Sequence, residues 1–204
     1  MYMTVFEMSK DSLRRSRNFL NLKNGNTVHR WITSRQHSRR DEGEILYRIM
    51  QQNNSYFLYV QSKDPFNVSD ASEYGLTLNK SFNVEKMFEN LAVGDRIVFN
   101  TVVTPVRVNK AGSGKKEFIQ NYIDRQKWVN RKFHEGGLKD VSYREEQIGQ
   151  LAFTRNKTEI RVPFVEVSGS ARIIDKEKFL QMVKAGVGKH KNFGAGLIMF
   201  RSVS

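Results

Sequence analysis

Apolar positions in the first half of the chain fall into short runs. Residues 2–8 alternate in the manner of a strand, with Glu7 inside the apolar set. Residues 10–22 carry Arg14, Arg15 and Arg17 and read as a polar, irregular stretch, which Asn24-Gly25-Asn26 punctuates. From Thr27 the period changes. Val28, Trp31 and Ile32 stand at i, i+3 and i+4 and share one face of a short helix, with His29 on the flank of that face and Arg30 on its far side. Residues 34–43 are charged and loop-like. Strands follow at 44–50 and 56–61, separated by Gln52-Asn53-Asn54-Ser55. Residues 68–74 read as a short helix or loop and 76–82 as a strand. The order is β-α-β-β-α-β, the ferredoxin-like order, which fits in about 80–90 residues.

A second set of elements begins after the link Leu91-Ala92-Val93-Gly94-Asp95. Residues 96–103 form a strongly β-branched strand ended by Pro105. Residues 107–116 make a basic hairpin tip centred on Gly112 and Gly114. Residues 119–134 predict a helix with Tyr122, Ile123, Val129 and Phe133 as its apolar stripe, and Gly136-Gly137 stops it. Strands are expected at 150–154 and 161–174, then Asp175 caps a helix through Phe179, Leu180, Met182 and Val183. Four glycines alternate with basic residues between Lys184 and Gly196, and one more strand opens at Leu197. The chain therefore reads as two α+β units of similar size.

Charge changes the picture more than length does. The 204 residues include 34 Lys+Arg against 21 Asp+Glu, a net charge of +13. The pI is near 10.0. Such a field attracts polyanions, with nucleic acid first among them. No apolar run approaches the ~20 residues of a membrane span. The first eight residues read as a strand and not a signal peptide, so a cytoplasmic protein without membrane association is expected. The absence of cysteine excludes disulfides, thiolate metal ligands and a cysteine nucleophile.

Four scattered histidines and no HxH, HExxH or carboxylate–histidine cluster give no support to a metal centre. His37 lies in an arginine-rich loop, His134 ends a helix where a cation suits the dipole, and His190 sits among glycines where phosphate contact is the natural role. His29, beside Arg30 with Thr33 and Ser34 one turn on, is either a structural histidine on a helix flank or a proton-transfer group. Carboxylates do not converge as a two-metal nuclease requires. Phosphodiester chemistry here would need RNA, whose own 2′-hydroxyl can attack while the protein supplies alignment, proton transfer and charge. The 14 Phe and 7 Tyr include no RNP1-like octamer; Tyr47, Phe57, Tyr59, Phe82 and Phe99 are expected in the core. Backbone and shape recognition of a duplex or hairpin RNA fits these residues best. A general basic nucleic-acid-binding protein is the competing reading of charge alone.

Gly186-Val187-Gly188-Lys189-His190-Lys191-Asn192-Phe193-Gly194-Ala195-Gly196-Leu197-Ile198 resembles the C-terminal glycine-rich loop G-(I/V)-G-x-x-K-x-x-G-x-G-L-L of the CasE family, the CRISPR repeat endoribonucleases of type I-E systems. The Met1-Tyr2-Met3 strand, the histidine on the first helix, Glu44-Ile45-Leu46-Tyr47-Arg48, Tyr59-Val60-Gln61-Ser62 and the basic tip 107–116 agree in order, so the resemblance spans the chain. It implies two tandem ferredoxin-like (RRM-like, βαββαβ) domains, at 1–90 and 95–204. It implies cleavage of precursor CRISPR RNA 3′ of the repeat hairpin without metal or cofactor, retention of the product, and other Cascade subunits as partners. His29 matches the family's catalytic histidine. Asn26 and Ser34 stand where some members carry a tyrosine and a lysine, so Arg30 or Arg35 would supply positive charge, and Asn26, Arg30 and Ser34 are the supporting residues expected beside His29. The RNA-binding residues expected are Arg35, Arg107, Lys110, Lys115, Lys116, Gly186, Gly188, Lys189, His190, Lys191, Gly194 and Gly196. The alternative is a hairpin-binding structural subunit with weak or lost cleavage.

Overall fold

In the computed structural model, residues 1–18, 20–35, 45–108, 116–155 and 157–203 are described. The elements run β1 (Tyr2–Met8), α1 (Lys10–Arg15), α2 (Gly25–Thr33), β2 (Leu46–Gln52), β3 (Ser55–Ser62), a 3-10 turn (Ala71–Tyr74), β4 (Thr77–Asn83), α3 (Glu85–Glu89), β5 (Arg96–Val103), β6 (Val106–Val108), β7 (Lys116–Phe118), α4 (Tyr122–Glu135), β8 (Leu138–Arg155), β9 (Thr158–Ile173), α5 (Lys176–Ala185), a second 3-10 turn (Lys191–Phe193) and β10 (Ile198–Val203). They divide into two compact units. The first comprises Met1–Met87, Ala152–Arg161 and Asn192–Gly194; the second comprises Phe88–Leu151, Val162–Lys191 and Ala195–Ser204.

Among the described residues the strands form sheets of order β2-β3-β1-β4 and β10-β5-β9-β8, with β6-β7 as a separate ribbon. Taken in chain order within each sheet, both are 4-1-3-2. That is the ferredoxin-like arrangement, in which a hairpin strand is inserted between the two strands joined by the first helix. In the first sheet β1 lies antiparallel to β3 and to β4. In the second, β5 lies antiparallel to β9 and to β10. Helices α4 and α5 occupy the two crossover positions of the second sheet. In the first sheet α2 takes one, and the 3-10 turn Ala71–Tyr74 replaces a full helix at the other.

The first core gathers on α2. Val28, Trp31 and Ile32 are buried against Phe6, Leu58, Val60, Phe66 and Leu76, each contributing about 1.5–3 kcal/mol. Phe6 and Phe66 both meet Trp31 at 5.6–5.7 Å between ring centroids. In the second core Phe99 packs on Phe133 at 4.6 Å. Phe88, Phe179 and Phe200 form a triangle of 5.0–5.3 Å separations. Of the aromatics expected inside, Tyr47 and Phe99 are buried, while Phe57, Tyr59 and Phe82 are half-buried.

Several elements depart from the pattern-based reading. Residues 10–15 are helical because Ser9 and Ser12 exchange side-chain-to-backbone hydrogen bonds at 2.9 and 3.0 Å, a reciprocal cap that substitutes for periodicity. Helix α2 starts at Gly25, two residues early, because Asn24 accepts from the N–H groups of Asn26 and Thr27. Strand β2 begins at Leu46; Glu44 and most of the charged loop before it lie outside the described residues. Strand β8 is far longer than the expected 150–154: burial alternates along 141–146, but the inward position 145 carries Glu145, paired with Arg125, so the sequence shows no apolar alternation there. In α4 the expected stripe is displaced: Tyr122 and Ile123 are exposed, and Arg125 is buried with Trp128, Val129 and Phe133.

Arg125 is tolerated inside because its Nε and Nη2 donate to the two Glu145 oxygens at 2.9 and 2.7 Å, and Nη1 donates to the Ile119 and Gln120 carbonyls. The Glu145 hydrogen bond raises the guanidinium pKa further. Arg125→Met leaves Glu145 enclosed without its counter-ion, and the expected loss is about 3–5 kcal/mol in urea unfolding.

Candidate functional site

Within the first unit, α2 is held at its start by segments far away in sequence. The Asn24 amide donates to Thr154 Oγ1 at 3.1 Å, and the Asn26 amide donates to the Thr154 carbonyl. Tyr47, fully buried on β2, brings its hydroxyl within 3.0 Å of the Gly25 carbonyl and 3.2 Å of the Asn192 carbonyl. Phe153 and Phe193 stack face to face, centroids 3.8 Å apart. His29 stands one turn into this helix, half-buried with Nδ1 enclosed, while Arg30 is exposed. The contacts at the start of α2 thus fix the backbone that carries the His29 ring.

The neighbouring polar residues are largely committed. Ser34 ends the helix and donates through Oγ to the Trp31 carbonyl at 2.9 Å. Arg35 grips Asp70 through Nε and Nη2 at 2.9 and 2.5 Å, and Nη1 donates to the Trp31 carbonyl. Its guanidinium also lies over the rings of Trp31 and Tyr74 at 4.4 and 4.8 Å. With a side chain only 10% exposed, Arg35 is spent on internal bonds. Arg30 is the better-presented cation on this helix.

In the second unit the glycine-rich loop is pinned to the end of β5. Thr104 Oγ1 donates to the Lys189 carbonyl at 3.0 Å and lies 3.2 Å from His190 Nδ1. Gly196 N–H donates to the Val102 carbonyl at 2.7 Å, and Val187 N–H to the Gly196 carbonyl at 2.9 Å. At Gly188, φ is +83° and a Cβ would stand 3.1 Å from the Trp128 ring, so the position needs glycine on both counts. Gly186 and Gly194 also have positive φ. Burial, followed by the Lys189 charge, lowers the His190 pKa, favouring a neutral ring.

A cavity of about 590 Å³ in this unit is lined by Arg107, Lys116, Trp128, Gly188, Lys189 and Lys191 among others. Lys116 and Lys189 approach closely enough that hydrogen bonding to, and repulsion from, Lys189 hold the Lys116 ammonium below the ordinary lysine range. Two facing ammonium groups are relieved by a bridging anion. Lys191 instead donates to the Ala185 carbonyl at 2.5 Å, and Arg107 is exposed, 3.9 Å from Asp124. Lys110 and Lys115 lie outside the described residues, as does His37. Among the described residues no three His, Asp or Glu side chains converge as metal ligands, and no helix is long and apolar enough to cross a membrane.

Residues 1–201 match the sequence pattern of the family described as CRISPR associated protein. The chain belongs to that family. No curated protein matches the sequence. Among solved structures, the family fold is similar to that of the CRISPR endoribonuclease Cse3 bound to a 19-nucleotide RNA, at TM-score 0.84 and 21% identity over 98% of this chain and 99% of that one. Thermus thermophilus Cse3 bound to an RNA representing a pre-cleavage complex aligns at TM-score 0.77 and 22% identity, covering 98% and 99%. Cas6e from Escherichia coli K-12 aligns at TM-score 0.64 and 18% identity over the whole of both chains. At these identities the likeness concerns the fold.

Sequence singled out neither Thr104 nor Thr154 as a site residue, and Tyr47 only as a core aromatic and a member of a matched run. Each is an ordinary core or strand residue by pattern, and each acts through partners about 20 to 145 positions away.

Proposed function

We propose that the protein is a metal-independent endoribonuclease that cuts precursor CRISPR RNA 3′ of the repeat hairpin. The observation that carries the reading is the family match over residues 1–201 joined to a half-buried histidine on α2, the first crossover helix of the first ferredoxin-like unit. His29 moves the proton as the 2′-hydroxyl attacks the adjacent phosphorus. The P–O5′ bond breaks, leaving a 2′,3′-cyclic phosphate and a 5′-hydroxyl. Exposed Arg30 faces the gathering negative charge.

The basic surface of the second unit holds the stem by its phosphates, with Lys116 and Lys189 sharing one of them. Lys189→Ala is expected to weaken hairpin binding and to reduce the slope of log Kd against log salt by about 1. Relatives of this fold occur in CRISPR RNA-guided surveillance complexes, and the protein retains its product and joins the other Cascade subunits in the cytoplasm.

The test is incubation of the purified protein with its own repeat RNA in EDTA, followed by analysis of the product ends. Cyclic phosphate and 5′-hydroxyl ends support the reading; binding without cutting overturns it. One observation favours a second reading, a hairpin-binding subunit that cuts slowly: the Asn26 amide is committed to Thr154 and the Arg35 guanidinium to Asp70.

A further inference from the structure

The Gly25 carbonyl occupies a special place in α2. In the α-helical ladder it is the acceptor for the N–H four residues on, which is that of His29. The Tyr47 hydroxyl, 3.0 Å away, donates to this same oxygen, so the bond that closes the His29 turn is also anchored to β2. Tyr47 has a single proton to offer, and the Asn192 carbonyl at 3.2 Å shares it. Burial pushes the phenol far above the usual tyrosine range, so it remains a donor throughout the working pH range.

The helix does not need this hydroxyl in order to form. Asn24 caps it, and Val28, Trp31 and Ile32 bury its apolar face. What the phenol adds is lateral registration of the first turn. The surroundings leave little slack for it to be replaced by a shift: a Cβ on Gly25 would meet the Ala152 carbonyl and Phe193 at 3.3 Å, and one on Gly194 would meet the Tyr47 ring at 3.3 Å.

We infer that Tyr47 is a positioning residue for His29, its hydroxyl setting where the imidazole stands by anchoring the carbonyl that closes the His29 turn. The inference rests on the proton-transfer reading of His29. A displacement of about 1 Å at a reacting group costs up to about 100-fold in rate, so a tether at this carbonyl acts on the rate of cutting and not on the grip of the RNA.

The experiment compares wild type, Tyr47→Phe and, as a core lesion that leaves the tether intact, Val60→Ala. Single-turnover cleavage of the repeat hairpin is measured at saturating protein, well below each melting temperature, alongside hairpin affinity and the NMR titration of the His29 ring in the free protein. Tyr47→Phe is expected to cut about 10-fold or more slowly, with affinity unchanged and the His29 ring resonances moved. Val60→Ala is expected to keep both the wild-type rate and the wild-type resonances. Wild-type cutting by Tyr47→Phe, or equal slowing in Val60→Ala, overturns the inference. If wild type itself does not cut, the proposed function fails, and unmoved His29 resonances in Tyr47→Phe then overturn the positioning role on their own. Should Tyr47→Phe not fold, 4-fluorophenylalanine incorporated at position 47, which fills the space of the hydroxyl with no proton to donate to the Gly25 carbonyl, carries the same expectations.

Discussion

His29→Ala is expected to slow cleavage of the repeat hairpin by about 10²–10⁴-fold, the usual contribution of a positioned general acid or base, while hairpin affinity stays within about twofold of wild type. The separation follows from where the residue sits. His29 lies on a helix capped by Asn24 and anchored by Val28, Trp31 and Ile32, none of which is altered. Alanine is the best helix former, so the backbone persists. On the proposed reading, affinity for the hairpin comes from charges such as Lys116 and Lys189, which the substitution leaves in place. Filter binding and single-turnover cleavage of the same RNA check the two halves separately. A parallel loss of both would mean that His29 holds RNA and does not move a proton.

Gly137→Ala is expected to destabilise the fold by about 2–5 kcal/mol, from a left-handed backbone that L residues disfavour and from overpacking. Gly137 follows α4 with φ at +78°, and an added Cβ would stand 2.3 Å from the Asp175 carbonyl oxygen. The Gly137 carbonyl also accepts from Ile174 and Asp175 N–H at 2.8 and 3.1 Å. Asp175 is the cap of α5, so the methyl group drives apart the end of one helix and the start of the other. Gly94→Ala supplies the comparison: φ is +102° but nothing stands within 4 Å of an added Cβ. It should cost only the backbone strain, about 1–2 kcal/mol. Equal urea midpoints for the two variants would contradict the account of the α4–α5 corner.

Much of the fold was legible because burial there follows one face. Val28, Trp31 and Ile32 announced α2, the β-branched run at 96–103 announced β5, and Asp175 announced α5; all three stand where the pattern put them. Strand β8 was not legible over most of its length, because one of its inward positions carries a charged side chain, Glu145 held by Arg125, and breaks the apolar period that burial still follows at 141–146. The reciprocal cap of Ser9 and Ser12 folds α1 without any apolar period.

For the candidate site, sequence gave residue types but no directions. Arg35 counts as a cation in any charge tally, yet Asp70 and two aromatic rings occupy it. Asn26 stands where a reactive group was sought and instead ties α2 to Thr154. Tyr47 reads as a core aromatic by pattern, and only its hydroxyl geometry connects it to the His29 turn.

In the proposed mechanism the RNA supplies its own nucleophile. The most direct measurement is cleavage, in EDTA, of a repeat hairpin bearing a single 2′-deoxy substitution at the nucleotide 5′ to the scissile phosphate, beside the unmodified RNA. The protein is expected to bind both equally, to cut the unmodified hairpin to cyclic phosphate ends, and to leave the deoxy hairpin whole. Cutting of the deoxy hairpin at the same bond and rate would contradict that mechanism and assign the attack to water.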